Sequence, residues 1–388
     1  MAGKEKPYRV YRAGRSRGPI KPLDGEERFR LLRRDDDGQR PPATPRPRRR
    51  RPWKRIVAFA ILGVIVLALV WAFLGYLAIR SGVKDANARI GTRTRAALAP
   101  GGSIWSHQEN TVVLGTDKGP GKGRTGPGRS DAIMVVHTDP HHHRIAMLSI
   151  PRDLRVEIPA HGTDKINAAY AIGGPALTIR TVERLTGMKI NHIVLVDFAS
   201  FGDVIDALGG ITVNVPERIR SNRFDCPFST QTRCDRWPGW RFSKGPQHLN
   251  GHRALIYSRI RENVLNSSES DITRGSRQQQ VLQAVENKLV SFSSFLRMPF
   301  IGDNVVKPLA TDLSTTQLLE LAWVKYRTPA SQELRCRLGG TPTTIGGVDY
   351  IIGTEENVSV IAMVTGQSAP QPPPPGSGPF GPGCIAGG

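Results

Sequence analysis

The sequence predicts an α/β domain carried on a single transmembrane helix. Three observations predict it. An uncharged run of 24 residues, Ile56–Ile79, precedes most of the chain. Beyond it, short β-branched runs alternate with stretches of helical periodicity, the pattern of a layered α/β domain. All four cysteines lie after the apolar run, as befits a domain in an oxidising compartment.

Residues 1–55 hold 19 lysines and arginines against 7 acidic residues. Most of the net charge of +21 therefore belongs to this segment and says little about the folded part. Rich in Arg, Pro and Gly and without periodicity, the segment is expected to be a disordered, solvated tail. The run 56–79 would span about 36 Å as a helix, against a hydrocarbon core of roughly 30 Å. A buried core helix would show a polar face, and this run has none. A signal peptide would have a shorter apolar region and a small-residue cleavage site. RPRRRRPWKR, Arg46 to Arg55, abuts its start. The positive-inside rule then places the N-terminus in the cytoplasm and everything after Arg80 outside. The expectation is a single-pass cell-membrane protein with an extracytoplasmic domain.

Residues 80–109 read as a polar stalk, and the domain is expected over 110–365. NTVVLGTD, from Asn110, and DAIMVVHTD, Asp131–Asp139, read as strands, separated by the glycine-rich loop KGPGKGRTGPG. DPHHHR is a turn into a third strand, RIAMLSIP, so the last two should form a hairpin. The three adjacent histidines read as a solvated turn rather than a metal site. PALTIRTVERLTG reads as a helix stopped by Gly187, and Phe198 to Leu208 as another, ended by Gly209–Gly210. HIVLVD, ITVNV and VDYIIG read as strands. One long helix is expected over Thr273–Leu296 and another over 315–326. Residues 366–388 are a Pro- and Gly-rich tail without a core.

Four cysteines permit three pairings. Cys226 and Cys234 flank the short loop CPFSTQTRC, which favours 226–234 with 336–384. Zinc is disfavoured because no CxxC unit is present.

The stretch YSRIR…SDITRGSRQQQ concentrates Arg259, Arg261, Arg274 and Arg277 around Asp271. Such a concentration points to phosphate, since the planar guanidinium donates paired hydrogen bonds to phosphate oxygens. On the outer side of a membrane there is no genomic nucleic acid. The phosphate to hand is that of a lipid-linked sugar phosphate or diphosphate. Arg259 and Arg261 are two apart and would share a face if extended. LGTD, GRSD and SIPRD place Asp117, Arg129, Asp131, Arg152 and Asp153 at strand ends. Asp117 and Asp131 could share a hard cation bridging phosphate oxygens. The apolar stripes of 176–186 and 198–208 would serve either a lipid trough or core packing.

LGTD, GRSD, SIPRD, DKINAAY, DALGGITVNV, LNGHRALIYSRIR and SDITRGSRQQQ, in this order, resemble the LytR-CpsA-Psr family of cell-envelope enzymes. The resemblance spans about residues 110–365. It implies an α/β/α sandwich around a mixed central sheet. It also implies transfer of a glycopolymer from a polyprenyl diphosphate carrier to peptidoglycan, releasing polyprenyl phosphate. Wall teichoic acids, capsules and arabinogalactan are among the polymers attached. The resemblance gives Asp117 and Asp131 as ligands of Mg2+, with Mn2+ as the alternative ion. It gives Arg129, Arg152, Lys165, Arg259, Arg261 and Gln278 as diphosphate contacts, with Asp271 and Arg274 near the head group. A carboxylate must take the acceptor hydroxyl's proton, and Asp271 and Asp153 are the candidates. Glu262–Ser270 is an insertion relative to the shortest family pattern. Two other readings use the same residues: a hydrolase of the lipid diphosphate, and a non-catalytic module that binds lipid-linked glycan at the wall.

Overall fold

The computed structural model describes residues 53–116, 128, 130–260, 262–266, 271–289, 291–375 and 381–387. At 198, 199, 224, 271–276 and 279 it describes the backbone alone. The expected basic tail lies outside these residues up to 52. The apolar run belongs to one longer helix, α1 (Trp53–Ala88), long and apolar enough to cross a membrane and so supporting a single-pass anchor.

The strands follow as β1 (Glu109–Thr116), β2 (Ser130–Asp139), β3 (Arg144–Ile150), β4 (Arg155–Ile158) and β5 (Gly162–Lys165). Helix α2 (Ala168–Thr186) leads to β6 (His192–Asp197), and α3 (Phe198–Ala207) to β7 (Ile211–Val215). Two short strands, β8 (Ile219–Arg220) and β9 (Arg241–Phe242), precede β10 (Gly245–Leu249). Helices α4 (Gly251–Arg259), α5 (Asp271–Leu289) and α6 (Phe292–Val306) come next, then β11 (Ala310–Thr311) and α7 (Thr315–Arg327). The chain closes with β12 (Glu333–Arg337), β13 (Gly340–Ile345), β14 (Val348–Gly353), α8 (Glu356–Val364) and β15 (Gly383–Ala386). Seven strands make a mixed central sheet in the order β11-β6-β1-β2-β3-β12-β15.

The two faces of this sheet differ. On one, Val112, Leu114, Ile133, Val135, Ala146, Leu148 and Ile193 are at most 2% exposed. They pack with Ile179 and Val182 of α2 and Val360 and Val364 of α8. On the other, Ile145 packs with Ile104, Leu313 and Val324 toward one end. Val136, Met147 and Val194 pack partly against this group, and they, with Val113, Met134 and Val196 beside them, remain only half-buried. A further core joins α3, α4, α5 and α6 to the β7–β10 ribbon, through Val204, Ile205, Leu208, Val213, Tyr257, Val281 and Ile301. Both apolar stripes read from the sequence thus belong to cores rather than to a trough. Gly187 ends α2 at φ 69°, a left-handed conformation that glycine adopts without the Cβ clash other residues meet.

Three expectations need correction. The stalk at 80–109 is part of the fold: α1 continues to Ala88, Ile90 joins the main core and Ile104 the smaller one. Isolated apolar residues among Arg and Gly carry no periodicity that would reveal this. The helix expected over 273–296 is two helices. The Ser291 hydroxyl accepts from Ser294 N and starts a new one. ITVNV and VDYIIG are strands as expected, each paired in a two-stranded ribbon outside the central sheet. The final tail returns as edge strand β15, with Leu334 opposite Ala386 and Arg337 opposite Gly383. A four-residue strand behind a proline run is too short to announce itself in sequence.

Both favoured disulfides are present, Cys226–Cys234 and Cys336–Cys384. The second staples β15 to β12 across 48 residues, the first closes a loop with separation 8. Because cross-linking restricts the unfolded chain more over longer loops, replacing both Cys336 and Cys384 by Ser should cost roughly 4 kcal/mol, and the other pair roughly 2.5. Denaturant unfolding without reductant measures both. Equal losses would show that loop length does not govern them.

Candidate functional site at the strand ends

Strands β1 and β6 are parallel, as are β3 and β12, and β2 runs opposite to β1 and β3. The carboxyl ends of β1, β3, β6 and β12 therefore meet at one edge, where open α/β sheets receive ligands. The sequence-marked residues cluster there. Opposite Gly115–Thr116 the register of β2 jumps from Ala132 to Ser130, leaving Asp131 as an unpaired bulge residue. A bulge re-aims the side chain it carries.

Arg152 and Asp153 follow β3 directly. The Arg152 guanidinium donates to Asp131 Oδ1 at 2.8 Å and to Asp153 Oδ2 at 3.3 Å. Lys165, closing β5, donates to Asp153 Oδ1 at 2.9 Å. The result is one chain, Asp131–Arg152–Asp153–Lys165, with every member 22–31% exposed. Burial alone would raise the Asp153 carboxyl. The Lys165 hydrogen bond and the charges of Arg152 and Lys165 outweigh it and hold Asp153 below the ordinary aspartate range.

The backbone beneath is clamped from two sides. Ile166 N donates to Leu154 O at 2.9 Å and Asn167 N to Arg152 O at 3.2 Å. From the other side Ile351 N of β14 donates to Asp153 O at 2.9 Å. That brings in Tyr350, which the sequence did not single out. The Lys165 ammonium lies 5.6 Å from its ring centre and the Arg155 guanidinium 5.9 Å. Tyr in VDYIIG reads as an ordinary strand former, so no local signal marks it.

A second group sits on α4 and α5. Asn250 caps α4 by accepting from Arg253 N at 2.9 Å, and the helix runs as far as Arg259. The segment is thus helical through Arg259, not extended as expected, and the exposed Arg259 is its last residue. Arg277 is a framework residue. It is 3% exposed and its Nη1 donates to Ile260 O at 2.8 Å. Tyr257 OH donates to Gln280 Oε1 at 2.5 Å. These two bonds lock the two arginine motifs together, with half-buried Gln278 on the same helix. The described part of the insertion, 262–266, lies against β8 and the residue before it: Val264 N donates to Arg220 O at 2.8 Å, and Asn263 Nδ2 to Arg218 O at 2.9 Å. Asp271 and Arg274 fall in the first turns of α5, where only backbone is described. Asp117, Arg129 and Arg261 lie outside the described residues.

Among the described residues, no group of three or more His, Cys, Asp and Glu is placed to hold a metal. Asp131 fits a hard cation in a narrower way. Mg2+ commonly takes one or two carboxylates and completes its shell with phosphate oxygens and water. The Asp131 carboxylate stands at a partly exposed strand end, with a guanidinium on one of its oxygens.

Comparison with known proteins places the chain. Residues 84–364 match the LytR_cpsA_psr family, and the chain belongs to it. A polyisoprenyl-teichoic acid–peptidoglycan teichoic acid transferase TagU of Oceanobacillus iheyensis is 34% identical over 269 residues, 68% of this chain and 77% of that protein. A TagU of Bacillus licheniformis is 30% identical over 323 residues, 81% and 96% of the two chains. The crystal structure of Bacillus subtilis TagV superposes with TM-score 0.55 at 29% identity, covering 69% of this chain and 99% of that one. TagT with bound octaprenyl pyrophosphate lipid does so with TM-score 0.50 at 26%, covering 72% and 98%.

The depressed carboxyl predicts a pH dependence. Asp153 ionises more readily folded than unfolded. Its contribution is complete above the ordinary aspartate value, 3.8, and is lost as pH falls through the lower folded value. Unfolding free energies of the wild type and Asp153→Asn should therefore converge as pH falls from about 5 to about 2. A gap independent of pH would mean that the ion pairs do not stabilise the ionised form.

Proposed function

We propose that this protein transfers a glycopolymer from a polyprenyl diphosphate carrier to peptidoglycan on the outer side of the cell membrane. The observation that carries this reading is the chain Asp131–Arg152–Asp153–Lys165 at the end of a sheet whose adjoining face leaves Val113, Met134, Val136 and Met147 half-buried. An amphiphile with a diphosphate head and an isoprenoid tail needs a cationic edge and an apolar surface together. The transferase relatives and the lipid-bound TagT support the same substrate class. The basic flank before α1 supports an N-terminus in the cytoplasm. A domain outside the membrane has no nucleic-acid partner to meet.

Arg152, Lys165 and Arg259, with Arg129, Arg261 and Gln278 assigned by motif, contact the diphosphate oxygens. Two carboxylates fix Arg152 before substrate arrives, so little reorganisation is left for the reaction. An acceptor sugar hydroxyl attacks the phosphorus nearest the glycan. A new P–O bond forms, and the bond to the bridging oxygen breaks. Polyprenyl phosphate leaves with that electron pair. The hydroxyl proton passes to a carboxylate within about 2.6–3.2 Å. Asp153 suits this poorly, because both its oxygens accept from cations and its basicity is low. The role therefore falls to Asp271. Asp131 and Asp117 would hold Mg2+, or Mn2+, which when bound neutralises charge on the diphosphate.

The test is transfer of a short lipid-diphosphate glycan to peptidoglycan fragments. Arg152→Ala and Arg259→Ala should each lose about 10- to 100-fold, the worth of a charge-assisted bond to phosphate. Arg259→Lys should recover part, keeping charge without the fork. Asp131→Ala should abolish the Mg2+ response. Arg184→Ala should be near neutral, since that residue pairs with Glu157 on the surface at 2.7 Å. If Arg152→Ala and Arg184→Ala behaved alike, the site would be wrong. Free glycan phosphate in excess acceptor would make the protein a hydrolase.

A further inference from the structure

Helix α6 exposes what a helix in water hides. Phe292 is 73% exposed, Phe295 53%, Leu296 49% and Phe300 80%, and Leu289 at the end of α5 is 36% exposed. A contiguous patch of this kind marks a surface meant for an apolar partner.

Its neighbour identifies that partner. Helix α6 runs beside α1 in the same direction, level by level. Trp71 Nε1 donates to Leu296 O at 3.1 Å, and the Trp71 and Phe295 rings lie 4.4 Å apart. Gly75 faces Pro299, and Ile79 faces Gly302. At Gly82 a Cβ would come within 2.8 Å of Asp303 O, so glycine there permits the close approach. Above this level the contacts become polar. Lys307 pairs with Asp85 at 3.5 Å, and Arg89 donates to the carbonyls of Lys307 and Leu309.

The change from apolar to polar falls where α1 itself changes, at Arg80. Trp71 lies eight residues inside the outer end of the apolar run 56–79, about 12 Å along a helix axis. Phe292, Phe295 and Leu296 are therefore at hydrocarbon depth whenever α1 spans a bilayer. Two of the polar groups nearby, Ser291 and Arg297, are provided for. Ser291 Oγ caps the first turn by accepting from Ser294 N at 3.3 Å. The Arg297 guanidinium reaches back to the domain: a Cβ at Gly209 would lie 3.0 Å from its Nη1. A long cationic side chain leaving the apolar layer in this way is snorkelling.

We propose that α6 from Phe292 through Phe300, with the Leu289 end of α5, is embedded in the acyl chains of the leaflet on the domain's side. The domain then does not hang from α1 alone. It is seated by a second, non-spanning element, and α5 ties that element to the site. Gln278 stands eleven residues up the same helix from Leu289, about 17 Å. A lipid-borne substrate would meet the site without leaving its leaflet. The embedding rests on α1 crossing the membrane and is independent of the transfer reaction, so it can fail while that reading stands, and the reverse.

The experiment uses the full chain in phosphatidylethanolamine–phosphatidylglycerol vesicles. Phe292→Cys, Phe300→Cys and Tyr326→Cys each introduce one thiol. The four native cysteines are held in disulfides, and Tyr326 is a 79% exposed control on α7. An environment-sensitive fluorophore at 292 or 300 should be quenched by acyl-chain nitroxide lipid roughly threefold or more over the label at 326. It should also be shielded from aqueous iodide. The unmodified protein gives a second reading: lipids with a photoreactive acyl chain should label peptides covering 289–300. Iodide quenching at 292 and 300 equal to that at 326, with no lipid labelling, overturns the proposal. Shielding from both quenchers together with cross-links between copies overturns it too, since a second chain would then cover the patch.

Discussion

The fold depends on an inequality between the two faces of one sheet. A β-strand sends successive side chains to opposite faces, so each strand carries two independent surfaces. In β1, β2, β3 and β6 one surface is sealed by α2 and α8, and it supplies the main core. The other is as apolar in composition but only partly covered, at Val113, Met134, Val136 and Met147. Leaving it so forgoes burial worth roughly 25 cal/mol per Å2 of apolar surface. A sealed first face makes an incompletely covered second one tolerable.

The ion-pair chain depends on that platform. Parallel β1, β3, β6 and β12 present their carboxyl ends together, and the bulge at Asp131 turns its carboxylate toward Arg152. Partly buried charges are costly unless paired. Here each carboxylate accepts from a cation and each cation donates to a carboxylate. Such a set is stable alone and keeps its guanidinium oriented. The clamp of Ile166, Asn167 and Ile351 on the Arg152–Leu154 backbone holds the loop that carries it. The disulfide at β12–β15 staples the outer edge of the same sheet.

Much of this was legible in the sequence, for identifiable reasons. Helix α2 has a strong 3.6-residue stripe and a glycine stop, and β1 to β3 have β-branched alternation with a sharp turn. Asp131, Arg152 and Asp153 stood out as charges at strand ends, Lys165 came only with the family resemblance, and the four meet in space. What stayed hidden depends on contacts distant in sequence. Tyr350 reaches Lys165 only because β14 docks on the Asp153 loop. Arg277 looked like a phosphate ligand by composition, yet its guanidinium holds Ile260 O inside the fold. The break between α5 and α6 rests on one serine cap. Ile90, Ile104 and β15 join the fold through single residues or four-residue pairings, below the length at which periodicity speaks.

The central claim is that the half-covered sheet face and the ion-pair chain form one amphiphile site. Photo-cross-linking with a polyprenyl diphosphate that carries a photoreactive group within its isoprenoid chain tests this most directly. The account predicts adducts at Met134, Val136 or Met147, suppressed by unlabelled carrier. Adducts confined to α8 or the 366–388 segment, or none that unlabelled carrier suppresses, would contradict it.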